Sequence, residues 1–232
     1  ALEGVGEKTK NTFGFSEEND WYAANLSTVR GAFYAFDAVH GGKDLGRVTL
    51  AVPGKHNVLN ALAALAAAIY AGADFDAARR GLEAFGGAGR RFENLGTYRG
   101  ITFVDDYAHH PAELRVTLEA AMQMDFRRVW AVFQPFTYSR TYMLMDDFAE
   151  VLRIPDKCVL TEIMGSRERN TYGVRTEPRA AKSPGAVWGN TFDEVADHVL
   201  ANAGEGDLVL TLGCGDIYKA AKLMVRRLKA EN

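Results

Sequence analysis

The densest run of ionisable side chains in this sequence is Asp105-Asp106-Tyr107-Ala108-His109-His110, followed by Pro111 and Glu113. It comes directly after the apolar stretch 101–104, and Pro111 suits the first turn of a helix, where its missing N–H costs nothing. Carboxylates and imidazoles at one strand end can transfer protons or hydrogen-bond a polar substrate. A plainer reading stands beside it: Asp105 or Asp106 caps the helix and both histidines are solvated. Metal ligation is not expected, because neighbouring side chains such as His109 and His110 rarely aim at one ion.

A second polar run, Gln134-Pro135-Phe136-Thr137-Tyr138-Ser139-Arg140, follows the apolar stretch 129–133. A guanidinium is a planar fork matched to carboxylate or phosphate, so Arg140 is either an anion ligand or a solvated surface arginine. A third run, Gly213-Cys214-Gly215-Asp216, follows 208–212 and reads first as a turn, since G-x-G alone is a weak sign of a ligand. Nearer the start, Gly54-Lys55-His56-Asn57-Val58-Leu59-Asn60 opens a helix. His56 and Asn60 would share one face there and could hydrogen-bond the edge of a base; the alternative is capping by Asn57 with an incidental histidine. Arg90 and Arg91 follow Gly86-Gly87-Ala88-Gly89, where two domains would meet over an anion.

These groups need elements to position them. Residues 33–52 predict a hairpin about His40-Gly41-Gly42-Lys43, and 57–71 a helix that Gly72 closes, with a second helix over 76–85. The glycine stretch marks a domain boundary, giving domains 1–89 and 90–232. Beyond it, apolar strands at 101–104, 129–133, 158–161, 187–188 and 208–212 alternate with helices near 111–123, 143–153, 192–202 and 217–229. Strands apolar without alternation belong to a parallel sheet covered on both faces, an α/β doubly wound fold whose ligands bind beyond the strands' carboxyl ends. All three polar runs lie at such ends. Residues 165–185 predict a surface loop.

Composition sets the outer bounds. A content of 47% hydrophobic and 25% charged residues suits a globular chain, and 232 residues suit two domains. A net charge of −3 without a basic run offers nothing to nucleic acid or an anionic membrane. The longest apolar run, 58–73, is too short to span a bilayer, and no export signal opens the chain. Cys158 and Cys214 are expected to be reduced and buried, in keeping with a cytoplasmic location.

Taken in order, Gly54-Lys55-His56-Asn57-Val58-Leu59-Asn60-Ala61-Leu62-Ala63-Ala64, Arg90-Arg91-Phe92-Glu93, Asp105-Asp106-Tyr107-Ala108-His109-His110-Pro111 and Phe133-Gln134-Pro135 through Thr141 resemble the Mur ligase family of cell-wall enzymes. The resemblance covers nearly the whole chain. The loop ending in Thr-Tyr-Ser-Arg is similar to the branch that joins L-alanine to UDP-N-acetylmuramate; murein peptide ligases share the Asp-Asp-aromatic-Ala-His-His-Pro string.

That resemblance implies the end portion of a central P-loop-type ATPase domain over 1–89 and a Rossmann-like, mostly parallel sheet domain over 90–232. It implies an ATP-dependent ligase that makes an acyl phosphate on the muramate lactyl group and resolves it with the amine of L-alanine. ATP and Mg2+ follow as cofactors, and UDP-N-acetylmuramate and L-alanine as substrates. The phosphate loop G-x-x-x-x-G-K-[ST] is absent from the 232 residues, which raises the expectation of a truncated chain, inactive alone. Its partners would be the N-terminal and P-loop portions of the same protein, which would also hold most magnesium ligands. By matched position, the resemblance implies catalytic roles for Asp106, His109 and Arg140. It implies ATP contacts for His56, Asn57, Asn60, Arg91 and Asp106, and substrate contacts for Tyr107, His109, His110, Phe136 and Arg140, with Asp105 and 213–216 behind them. Phe136 departs from the pattern, standing where the alanine-adding branch carries histidine. A binding module that kept the ligase fold and lost catalysis is a competing reading. A nicotinamide-dependent dehydrogenase fails, because no G-x-G-x-x-G follows the first strand of the second domain.

Overall fold

Gly41 and Gly42 take φ of 57° and 77°, the left-handed conformation that a two-residue hairpin turn requires. They join β3 (Phe33–His40) to β4 (Lys43–Pro53) in the computed structural model, which describes residues 10–177 and 186–230. The expected hairpin is therefore present. It is extended by β2 (Trp21–Arg30), antiparallel to β3, and by the short β1 (Phe13–Gly14), in the order β1-β2-β3-β4. Helix α1 (His56–Tyr70) buries Val58, Leu62 and Leu65 against Trp21, Phe36 and Val48. Asp74 caps α2 (Phe75–Ala84) by accepting from the Ala77 amide. The chain divides into two units, 1–86 and 87–232.

In the second unit the sheet order is β5 (Glu93–Tyr98), β6 (Ile101–Asp106), β10 (Asp207–Leu212), β7 (Arg128–Phe133), β8 (Lys157–Thr161), β9 (Ala186–Gly189). All five expected strands are present and pair in parallel; only β5 runs antiparallel, against β6. β5 escapes a sequence reading because it is a partly exposed edge strand without an apolar run. Helices α3 (Pro111–Met122) and α5 (Met145–Val151) cover one face, where Leu114, Leu118, Phe148 and Val151 meet Val129, Leu208 and Leu210. Helices α6 (Phe192–Asn202) and α7 (Tyr218–Ala230) cover the other, where Val195, Val199 and Met224 meet Phe103, Trp130 and Val209. The fold is doubly wound, as expected.

Two points depart from expectation. The helix near 143–153 is α5, and a further short helix, α4 (Tyr138–Met143), precedes it, the two parted at Leu144 with φ −108° and ψ 28°. The segment 165–177 is irregular and mostly exposed, as expected of a surface loop, with Val174 and Thr176 turned inward; 178–185 lie outside the described residues. Cys158 is buried and its thiol is pushed up to about 12 by burial, but Cys214 is only half-buried.

Candidate active site

β10 lies between β6 and β7 in register, so Leu212 pairs with Asp106 on one side and Phe133 on the other. The three polar runs therefore leave the sheet abreast, which adjacency in sequence could not show. Backbone bonds tie them at that level: the Gly213 amide donates to the Asp106 carbonyl at 3.1 Å and the Gln134 amide to the Leu212 carbonyl at 3.1 Å.

Neither aspartate caps α3. His110 is the N-cap, its Nδ1 accepting from the Ala112 amide at 3.3 Å, and Glu113 completes a capping box. Glu113 Oε2 accepts the amides of His110 and His109 at 3.2 and 3.0 Å. Desolvation works against the charged Glu113 carboxyl, but those donors prevail and hold it below the usual range. His110 spends Nδ1 on capping α3, while its ring stays exposed.

Asp105 is 2% exposed and accepts Arg90 Nε at 2.9 Å and Thr211 Oγ1 at 2.6 Å. Arg90 also donates Nη2 to the Gly213 carbonyl at 2.6 Å, with its guanidinium 5.0 Å from the Tyr107 ring centroid and 4.9 Å from that of Tyr218. Arg90 was expected to face an anion; it turns into the sheet instead, because the buried Asp105 charge needs a partner. Arg91 remains available, its guanidinium 5.4 Å from the Tyr107 ring. Burial pushes the Asp106 carboxyl up, while both its oxygens accept backbone amides at 2.7 Å, from Phe92 and Ala108. Asp106 therefore ties residue 92 to the polar run, with one amide on each of its oxygens.

His109 Nδ1 lies 3.0 Å from the Tyr107 carbonyl and 3.2 Å from Glu113 Oε2. Its ring meets Tyr107 edge-on at 5.5 Å and Phe136 at 6.5 Å. Loops after β6 and β7 thus build one aromatic wall. On α4, Arg140 Nη1 is buried without a hydrogen-bond partner. Gln134, which opens the second polar run and was given no role there, is 6% exposed; its Oε1 accepts from the Asp216 amide at 3.0 Å. A Cβ at Gly215 would come within 2.9 Å of that oxygen and 2.7 Å of Met164 Sδ, so a larger residue in this turn would have to push those side chains aside. A buried glutamine opening a strand-end loop was the available signal.

In the first unit, Asn57 lies inside α1 and donates Nδ2 to the Pro53 carbonyl at 2.7 Å, so it does not cap the helix; Lys55 precedes α1 without a side-chain cap. Asn60 Nδ2 donates to Asn57 Oδ1 at 2.9 Å, which leaves its own carbonyl oxygen available. His56 folds its ring against Gly54, φ 99°, where a Cβ would be 2.5 Å from Cε1, and desolvation lowers its pKa. Among the described residues no group of three or more His, Cys, Asp and Glu could hold a metal ion.

Residues 90–215 match the glutamate ligase domain of Mur ligases, and residues 2–68 match the Mur ligase middle domain. The chain is 39% identical over 227 residues to UDP-N-acetylmuramate--L-alanine ligase of Caldanaerobacter subterraneus subsp. tengcongensis, covering 96% of this chain and 49% of that one. The crystal structure of UDP-N-acetylmuramate-alanine ligase from Thermotoga maritima superposes with a TM-score of 0.79 at 28% identity, over 96% of this chain and 49% of that one. A murein peptide ligase from Psychrobacter arcticus superposes with a TM-score of 0.64 at 25% identity, over 94% and 46% of the two chains. The chain spans about half the length of the curated relatives it matches. With the ligase domain matched across most of the second unit, and the doubly wound sheet and its strand-end loops in place, the chain belongs to the Mur ligase family.

Proposed function

We propose that this chain is part of an ATP-dependent ligase of the cytoplasm that joins L-alanine to the lactyl carboxylate of UDP-N-acetylmuramate. The observation that carries this reading is the buried, unpartnered Nη1 of Arg140 beside the strand ends. Leaving such a donor unsatisfied costs about 1–3 kcal/mol, which a substrate carboxylate oxygen would recover. The names of the relatives supply the identity of that substrate.

Arg140 would hold the carboxylate of the amino acid. His109 turns Nδ1 to the Tyr107 carbonyl, so that Nε2 would be the nitrogen to take a proton from the attacking amine. Phe136 and Tyr107 close the wall around His109 and suit a small apolar side chain such as the methyl of alanine. Asp106 holds this loop in place rather than reacting. ATP contacts are proposed for His56 and the free carbonyl of Asn60, and for Arg91, a cation suited to phosphate. The lowered pKa of His56 keeps it neutral at physiological pH, so it would hydrogen-bond rather than pair a charge. Bound ATP would supply the phosphoryl group that activates the lactyl carboxylate. The acidic residues here do not fit magnesium: among the described residues no group of three or more His, Cys, Asp and Glu could hold it, so no step is assigned to it.

Phosphate release by the complete protein with UDP-N-acetylmuramate, ATP, magnesium and L-alanine tests the reading. Activity only with a peptide acceptor would transfer it to the murein peptide ligases, and none with either would favour a binding module.

A further inference from the structure

Helix α4 has six residues, too few to hold its shape alone, so what fixes Arg140 must come from outside it. Its N-cap Thr137 makes no side-chain capping bond. Ser139 in the first turn is met instead from 29 residues away: Glu168 accepts its amide on Oε2 at 2.8 Å and its hydroxyl on Oε1 at 2.5 Å. Both bonds fall on the residue just before Arg140.

The segment 162–177 that carries Glu168 is fastened at further points to the same helix and the loop that leads into it. The Met164 amide donates to the Pro135 carbonyl at 3.0 Å. Gly165, φ 78°, lies under the Tyr138 ring, where a Cβ would be 2.8 Å from Cε2. Tyr172 stacks on Tyr142 with centroids 5.0 Å apart and an interplanar angle of 24°. Residues 138, 139 and 142 of α4 are thus all engaged by one loop. Arg140 spends no Nη1 hydrogen on it; the Glu168 carboxyl, bonded to the neighbouring residue, is held below the usual range chiefly by Ser139, with Arg140 the smallest contributor.

We propose that Glu168 is the positioning residue for Arg140: it docks segment 162–177 on α4 and balances the guanidinium charge while leaving Nη1 free for an incoming carboxylate. The inference rests on Arg140 as a carboxylate ligand and adds the device that holds it open. Docking and charge are separable. Glu168→Gln keeps the shape, its carbonyl accepting from the Ser139 amide and its NH2 donating to the hydroxyl, and removes only the charge. Glu168→Ala removes both.

The test uses this chain with acetate as the probe, following the Arg140 Nε–Hε NMR resonance, and trypsin cleavage after Arg167 and Arg169 as a separate measure of docking. Glu168→Ala is expected to speed cleavage about tenfold, as an undocked loop opens, and to weaken acetate about fivefold. Glu168→Gln is expected to leave cleavage within about twofold and to tighten acetate by about two- to fourfold, because a competing negative charge is gone. Opposite signs for acetate at one residue would not follow from a merely structural role. Weaker acetate binding in both variants would overturn the counter-charge, as would a wild-type resonance that acetate does not move. Unchanged cleavage and affinity in Glu168→Ala would overturn the docking. Should the alanine variant unfold, Glu168→Gln and Ser139→Ala carry the comparison. None of these readouts uses ATP or muramate, so a failure of ligation in the complete protein would remove the proposed activity and leave this result standing.

Discussion

Asp105 and Arg90 form an ion pair, Oδ2 to Nε at 2.9 Å, with the carboxylate 2% exposed and Thr211 donating to its other oxygen. The pair spans the junction between the start of the second unit and the carboxyl end of β6. Removing Arg90 leaves a buried charge without its partner, so Arg90→Ala should destabilise the 87–232 unit by about 3–5 kcal/mol. Urea unfolding measures it, and a double-mutant cycle with Asp105→Asn should return a coupling well above the scatter of independent sites.

Asp207 sets the acid limit of the same unit. It is fully buried; desolvation alone would raise its pKa, but Arg128, Arg127, the Gly204 amide and Trp130 together hold it well below the carboxylate range. A folded pKa below the unfolded one gives stability that is complete above the unfolded value, about 3.9, and lost as pH falls toward the folded value. Acid unfolding of wild type should steepen below about pH 4. Asp207→Asn should be less stable at pH 7 and show a flatter acid limb; equal slopes in both proteins would remove Asp207 from this role.

In a complete enzyme, Arg140→Ala should lower kcat/KM about ten- to a hundredfold, the worth of a charge-assisted bond of about 1.5–3 kcal/mol. Arg140→Lys should recover only part, because an ammonium cannot reproduce the fork. Unchanged steady-state kinetics in both variants would return Arg140 to a structural arginine.

Phe136 lies edge-on to His109 at 6.5 Å and offers no hydrogen bond. Restoring a polar ring by Phe136→His in the complete enzyme should lower the KM for L-alanine roughly threefold to thirtyfold, about 0.7–2 kcal/mol. Glycine and serine as competing acceptors show whether the effect lies at the amino acid; no change with any of the three would place Phe136 outside that pocket.

The 232 residues on their own are expected to release phosphate from ATP only at background, since none of them replaces the amides and lysine of a phosphate loop. Turnover close to that of a complete enzyme would contradict this directly.

The sequence by itself determined the sheet and the places where its loops carry chemistry. Strands buried on both faces leave continuous apolar runs, so β6, β7, β8, β9 and β10 were legible, and the glycine pair at Gly41 and Gly42 was legible because few residues tolerate that φ. The half-exposed β2 and the edge strand β5 were not, since neither shows a continuous apolar run. Only the tertiary structure decided which polar groups are free. Insertion of β10 between β6 and β7 brings three distant loops abreast. Burial of Asp105 draws Arg90 inward, the chain direction at Pro111 makes His110 the cap, and Glu168 reaches across 29 residues to the turn that carries Arg140. Each of these is a choice of partner for a buried or orphaned polar group, and local spacing does not encode it, because the partner is supplied by whichever segment the fold carries past.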